Sequence, residues 1–283
     1  MKILTLNTHS LVENDYENKL LEFVNAIEYE KPDIIALQEV NQSAEASLYP
    51  SVLLERYTRC KDCDVVIHED NHAARLAQLL SERGIKYYWT WIPVKLGYGK
   101  YDEGLALFSR EKILETEQFP TSRIRDYRNW KSRKVLGIYT SHNGGSWFYC
   151  VHMGWWNDEE EPFKNQWDSI EHKVENKTGH IWVMGDFNSP AQVKDEGYDY
   201  IKSKGWVDSF VTALEKDCGN TVEKVIDGWR DKEAPVSGMR IDMIWSRVPE
   251  PVKSSKVIFN GENYPVVSDH YGVFVVFERK AAN

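Results

Sequence analysis

The chain repeatedly runs an apolar, strand-like stretch straight into a residue that can do chemistry. LTLN ends in Asn7, IIALQE in Glu39, YCVH in His152, VMGDFN in Asp186 and Asn188, and RID in Asp242, while VVSDH carries Asp269 and His270. Each has an ordinary reading as a turn, a cap or a satisfied hydrogen bond, because Asp, Asn and Ser are common turn residues. Together they form a pattern, since functional groups gather at strand ends and loops held by a rigid scaffold. Their chemistry converges on one task. Glu39 and Asp269 are hard oxygen donors suited to Mg2+ or Mn2+, ions that bind through few carboxylates and keep several waters. Asn7 and Asn188 can hydrogen-bond a phosphoryl group without adding negative charge. His270 can exchange a proton near neutral pH, and Asp242 can hold its tautomer.

The elements that must position these residues are readable from periodicity. Lys2 to Leu6 reads as a short strand. Over residues 15–30, Leu20, Leu21, Val24 and Ile27 share one helical face, and Pro32 ends the helix. Ile34 to Leu37 reads as a buried strand. Asn71 caps a second helix, HAARLAQLLSERG, closed by Gly84. KYYWTWIPV and GLALFSR read as strands, and VLGIYT and SWFYCVHM as a hairpin around HNGG. Glu161 to Lys177 fits a helix with Pro162 in its first turn. HIWVMGDFN, MRIDMIWSR, SKVIFN and YGVFVVFERK supply further strands, and SRVPEPVKSS reads as a loop. Irregular alternation of strands and helices, with hairpins included, predicts a mixed α/β sheet architecture rather than a purely parallel one.

Composition narrows the class. Lys plus Arg total 35 against 44 Asp plus Glu, a net charge of −9 over 283 residues. An acidic chain lacks the overall electrostatic footprint of a nucleic-acid binder, although a local basic patch or a bound cation can reverse the field at one site. Four cysteines in so long a chain do not describe a disulfide scaffold. Cys60 and Cys63 have zinc-like spacing, but no second pair completes the set. No apolar run approaches ~18 residues, so no transmembrane helix is expected. The opening MKILTLNTHS is too short an apolar run for a signal peptide. A cytoplasmic monomer with no membrane partner is the expectation.

The quoted segments also carry a resemblance. LNTHS, LQEV, GLALFSR, VHMG, GDFNSP, RIDMIW and SDHYGV resemble, in order, the motif set of the endonuclease/exonuclease/phosphatase superfamily, from Asn7 to His270. The resemblance implies a four-layer α/β sandwich: two packed, mainly antiparallel or mixed sheets flanked by helices, built as one domain over residues 1–283. It implies water attack on phosphorus, a divalent cation and no covalent enzyme intermediate. By motif matching, Glu39 is the principal metal ligand, with Asn7 and Asp269 nearby. Asp186 and Asn188 match the positions that orient nucleophile and phosphate. His270 matches the catalytic histidine and Asp242 its carboxylate partner. His152 matches a phosphate-contacting histidine or general acid, Glu103 is expected to pair with it, and Tyr101 to contact phosphate. Either Asp186 or His270 could take the proton from water, with His270 preferred.

The superfamily acts on DNA, phospholipids, inositol phosphates and phosphosugars, so the fold leaves the substrate open. The opening MKILTLNTHS, running into LQEVNQS, resembles the bacterial maltose 6'-phosphate phosphatases, which points to a small phosphorylated substrate. Trp155 and Trp156 follow His152, where a glucosyl ring could stack or the rings could simply pack. TSRIRDYRNWKSRK holds Arg133 among several basic residues that could clamp a compact anion, with a solvated loop as the ordinary reading. KLGYGKYDEG reads as a mobile glycine-containing loop that would bring Lys95 or Lys100 to substrate, and His9 and His72 could line the pocket. The competing readings are a nuclease, with steep salt dependence, a sphingomyelinase-like phosphodiesterase, and a non-catalytic binding module.

Overall fold

The computed structural model describes residues 1–224, 226, 229 and 238–278. Its strands are β1 (Lys2–Asn7), β2 (Ile34–Ser43), β3 (Tyr88–Gly97), β4 (Tyr101–Ser109), β5 (Glu115–Pro120), β6 (Lys134–Thr140), β7 (Ser146–His152), β8 (His180–Asp186), β9 (Val207–Asp208), β10 (Glu215–Lys216), β11 (Asp242–Ser246), β12 (Val252–Ile258) and β13 (Gly272–Phe277). The helices are α1 (Tyr16–Glu30), α2 (His72–Glu82), α3 (Phe163–Val174), α4 (Gly197–Ser203) and α5 (Ser209–Thr212). One sheet has the order β10-β12-β13-β1-β2-β4-β3 and the other β5-β6-β7-β8-β11-β9. Both are mixed: β1 runs parallel to β2 and β7 to β8, while most other pairs are antiparallel.

Side-chain alternation assigns each strand face to a layer. Ile3, Ile34, Ala36 and Leu107 of the first sheet meet Phe148, Cys150, Trp182, Met184 and Ile244 of the second in a core between the sheets. The opposite face of the first sheet, with Leu4, Leu6, Ile35 and Leu37, is covered by Leu20, Phe23 and Ile27 of α1 and Leu76 and Leu80 of α2. The outer face of the second sheet packs Val151, Val183 and Met243 against Phe163, Trp167 and Ile170 of α3. The order helix, sheet, sheet, helix is the expected sandwich.

The same alternation positions the chemistry. Ile3, Thr5 and Asn7 point inward along β1. Phe148, Cys150 and His152 do so along β7, Trp182, Met184 and Asp186 along β8, and Ile244 and Asp242 along β11. At one end of the inter-sheet core the inward residues therefore change from apolar to polar. Gln38 marks the transition, donating from Nε2 to Thr5 Oγ1 at 3.2 Å and approaching Cys150 Sγ at 3.1 Å. Register brings His152 beside Asp186 and Asp242 opposite Asp186.

Several boundaries differ from the sequence reading. β2 continues through Ser43 instead of stopping at Leu37, because a register shift between Leu37 and Val40 lets it resume pairing with β4. KLGYGKYDEG is not a free loop: it is the tip of the β3–β4 hairpin, turning at residues 98–100. Pro162 caps α3 from outside the helix, in extended conformation, and does not enter its first turn. β12 starts at Val252, which shortens the loop read from SRVPEPVKSS. β5 pairs with β6 although ETEQFP shows no apolar alternation, since this edge strand gains its place from backbone pairing. Asn71 caps α2 as expected, accepting from the Ala74 N–H at 3.0 Å.

Candidate active site

Asp186 is the hub of the polar end. Its Oδ2 lies 3.2 Å from Asn7 Nδ2, 3.4 Å from Asn188 Nδ2, 3.5 Å from His152 Nε2 and 3.9 Å from His270 Nε2. Its Oδ1 accepts the Asn188 backbone N–H at 2.8 Å. Asn188 takes a left-handed φ of 46°, a conformation Asn tolerates better than most residues. Its Nδ2 donates to the Met153 carbonyl at 3.0 Å, and its Oδ1 accepts from Trp229 Nε1 at 2.9 Å. Behind the hub, His270 Nδ1 meets Asp242 Oδ2 at 3.0 Å, and both side chains are buried. That contact fixes the ring so that Nε2 faces Asp186.

Strand parity alone would turn Glu39 toward the outer helices, since Gln38 already points inward. The β2 bulge re-aims it: Glu39 has a φ of 52°, and Thr8 Oγ1 and Ser10 Oγ donate to its carbonyl at 3.2 and 2.7 Å. Its Oε1 then accepts from Asn7 Nδ2 at 2.9 Å. A left-handed φ at a glutamate is strained and is held here by its surroundings, a pattern common at functional sites. On the last segment, Ser268 Oγ donates to the Asn7 carbonyl at 2.7 Å, tying the Asp269–His270 turn to the end of β1.

These groups open onto a cleft of about 270 Å³. Glu39, His152, Asp186, Asn188, Asp269 and His270 line it, as do His9, Lys95, Glu103, Arg133, Trp130 and Trp155. Burial pushes the Glu39 carboxyl up to about 7, with the Glu103 and Asp269 charges adding to the effect. Asp186 is likewise raised to about 6 by burial, against the opposing pull of His270. Burial would depress His270, but Asp242 outweighs it and holds the ring up at about 10. His152 falls well below its ordinary value through burial and the positive charges of Arg133, Lys95 and His270, so it is neutral at pH 7. Burial opposes His9 too, yet Glu13, Asp269 and Glu39 raise it to about 9.

The donor chemistry fits a divalent cation. Several carboxylates crowd Glu39 closely enough to oppose its ionisation, and a bound dication would relieve that repulsion. His9, Glu13 and Asp269 bring ligand atoms within 4.8 Å of one another, as do Asp186, Asp242 and His270. The second group is already joined by its internal ion pairs. Asn7 turns its amide nitrogen to both Glu39 and Asp186 while its Oδ1 accepts the His9 N–H at 3.2 Å. It thus bridges two carboxylates.

Other expected site residues either take different partners in the cleft or lie outside it. Glu103 pairs with Lys95 at 3.0 Å, and His152 meets Asp186 instead. Tyr101 is outside the cleft lining and donates to the Leu11 carbonyl at 3.3 Å. Lys100 is exposed at the hairpin tip, over the Tyr101 ring. Trp156 packs on Phe163 and Tyr200, leaving Trp155 at the cleft. His72 is buried in α2 against Tyr16. Of the basic segment, Arg123, Arg125 and Arg128 are exposed, Lys131 pairs with Asp158 and Glu160, and Arg133 enters the cleft. Cys60 and Cys63 are free buried thiols outside any metal-ligand group among the described residues. Trp130, Tyr98 and Trp229 were not singled out by the sequence; Trp130 sits within the basic segment, and that was its only signal.

A family model described as Endonuclease/Exonuclease/phosphatase family matches residues 4–270. The chain belongs to that family. Its members are phosphoric ester hydrolases that generally use divalent metals, and this chain is a phosphoesterase of the same group. An endonuclease/exonuclease/phosphatase family protein from Leptotrichia buccalis is 33% identical, with a TM-score of 0.86 over 99% of this chain and 100% of that one. A mannosyl-6-phosphatase from Bacteroides thetaiotaomicron shares the fold at 19% identity, TM-score 0.64, covering 99% and 100%. TDP2 of D. rerio, complexed with a single-stranded DNA product, shares it at 16% identity, TM-score 0.63, covering 99% of each chain. A search of curated proteins gave no match. Among the described residues no helix is long and apolar enough to cross a membrane.

Proposed function

We propose that this phosphoesterase is a phosphomonoesterase that releases inorganic phosphate from a phosphosugar such as maltose 6'-phosphate. The observation that carries the reading is the convergence of Asn7, Glu39, His152, Asp186, Asn188 and the His270–Asp242 pair on one small cleft. A volume of about 270 Å³ suits a compact ligand. Trp130 and Trp155, with ring centroids 5.5 Å apart, offer aromatic faces for a sugar ring. A sugar 6-phosphatase among the structural neighbours accords with this choice.

Glu39, with Asp269 beside it, would hold Mg2+ or Mn2+. When bound, such an ion polarises a phosphoryl oxygen and offsets developing negative charge. Asp186 accepts the proton of the attacking water, because it lines the cleft at the hub of the site and burial raises its carboxyl to about 6, against the lowering pull of its donors. This differs from the sequence preference for His270. Held against Asp242, His270 keeps a proton on Nε2 and stabilises negative charge on the phosphoryl group. Asn188 and neutral His152 orient the phosphoryl oxygens. Asn7 keeps the two carboxylates in register.

A substrate panel tests the reading. Purified protein with Mg2+ is offered maltose 6'-phosphate, glucose 6-phosphate, inositol phosphates, plasmid DNA and sphingomyelin. Fast phosphate release from the sugar phosphates alone is expected. The nuclease reading replaces it if plasmid is nicked and no monoester turns over.

A further inference from the structure

The cleft holds two cations that the proton chemistry does not use, a half-buried Lys95 and a buried Arg133. Lys95 is neutralised by Glu103 at 3.0 Å. Arg133 is not. It is 3% exposed, and its Nη1 donates to the carbonyls of Trp130 at 2.7 Å and Ser132 at 3.0 Å. Its Nε is buried with no partner, and it forms no ion pair among the described residues. Arg133 and Lys95 line the cleft together with His152, and the positive charges of both act on it. Burial lowers the tendency of both groups to hold a proton.

An unpaired buried guanidinium is costly, and it is tolerated where an anion completes it. Its planar fork matches two oxygens of a phosphoryl group. A terminal phosphate presents three non-bridging oxygens and two negative charges. A diester presents two oxygens and one charge. On the proposed mechanism the cation held by Glu39 would take one non-bridging oxygen and Asn188 with His152 another, and a third exists only in a monoester.

We propose that Arg133 receives the third non-bridging oxygen of a terminal phosphate and so selects phosphomonoesters over phosphodiesters. A diester would bring an alkoxy group to this position and leave the guanidinium desolvated without its partner. Sites built to pair a polar group reject analogues that lack it by about 10⁴-fold or more. The inference rests on the phosphomonoesterase reading and names the residue that enforces it.

The test compares p-nitrophenyl phosphate with bis(p-nitrophenyl) phosphate in wild type, Arg133→Met and Arg133→Lys. Wild type should prefer the monoester by at least about 10³ in kcat/KM. Arg133→Met should lose about 10²-fold on the monoester and change less than about threefold on the diester. Calorimetric binding of inorganic phosphate should weaken in parallel, and added guanidinium should restore monoester turnover alone. Arg133→Lys keeps the charge without the fork, and should lose about tenfold on the monoester if Arg133→Met does not fold. Because Nη1 also braces two carbonyls, a purely structural role would lower both substrates together. An unchanged ratio in the variants overturns the inference while leaving the phosphomonoesterase reading intact. A wild type that prefers the diester overturns both.

Discussion

At the scale of single residues, the His270–Asp242 pair ties activity to stability. Removing the imidazole strips a buried carboxylate of its partner, and losing one member of a buried pair costs about 3–5 kcal/mol. His270→Ala should therefore lose about 10²–10⁴ in kcat and also melt well below wild type, as read by phosphate release and thermal denaturation. Wild-type turnover in that variant would remove its role. Asn7, His152 and Asp186 are the most legible part of the site, because each ends a strand whose parity fixes the direction of its last side chain. Arg133, Lys95 and Trp130 were harder to read: Lys95 follows a register shift within β3, and the other two come from a loop whose course no periodicity sets. Tyr101 shows the converse, since its place at the start of β4 turns the hydroxyl onto Leu11.

At the scale of elements, two local devices aim the site. The β2 bulge turns Glu39 inward, and nothing in LQEV discloses it, because a bulge depends on pairing with β4. Gly185 gives β8 its approach to β7. Its φ is 142°, and a Cβ there would stand 2.0 Å from the Val151 carbonyl oxygen. Gly185→Ala should destabilise the protein by about 3 kcal/mol or more in urea denaturation; a cost below about 1 kcal/mol would show that the sheet relaxes freely. A different element carries the acid response. His72 opens α2 in a buried position, and burial, helped by the Arg75 charge, lowers it to about 3. Its folded value lies below the unfolded ~6.5, so the unfolded chain binds more protons between these limits. Its contribution is complete above about pH 6.5 and is lost as pH falls toward 3, at about 1.4 kcal/mol per unit. From pH 7 to pH 5 wild type should lose about 2 kcal/mol more than His72→Gln. Equal losses would contradict this.

At the scale of the molecule, β1 pairs with β13 and with β2, so the first and last described strands lie side by side. The core between the sheets takes residues from Ile3 to Phe277. We predict one cooperative unfolding transition, with tryptophan fluorescence and circular dichroism coincident, as a single domain over the whole chain requires. Separate transitions would divide the chain. The sandwich itself was legible because its ordered segments span the sequence; the substrate was not, because the fold hosts several phosphoesters. The most direct test strips the protein with EDTA and titrates back Mn2+ while following phosphate release from maltose 6'-phosphate. Activity should vanish on stripping, return with Mn2+, and fail to return in Glu39→Gln. Full turnover in the stripped protein, or an Mn2+ response undiminished in Glu39→Gln, would contradict a cation-centred site built around Glu39.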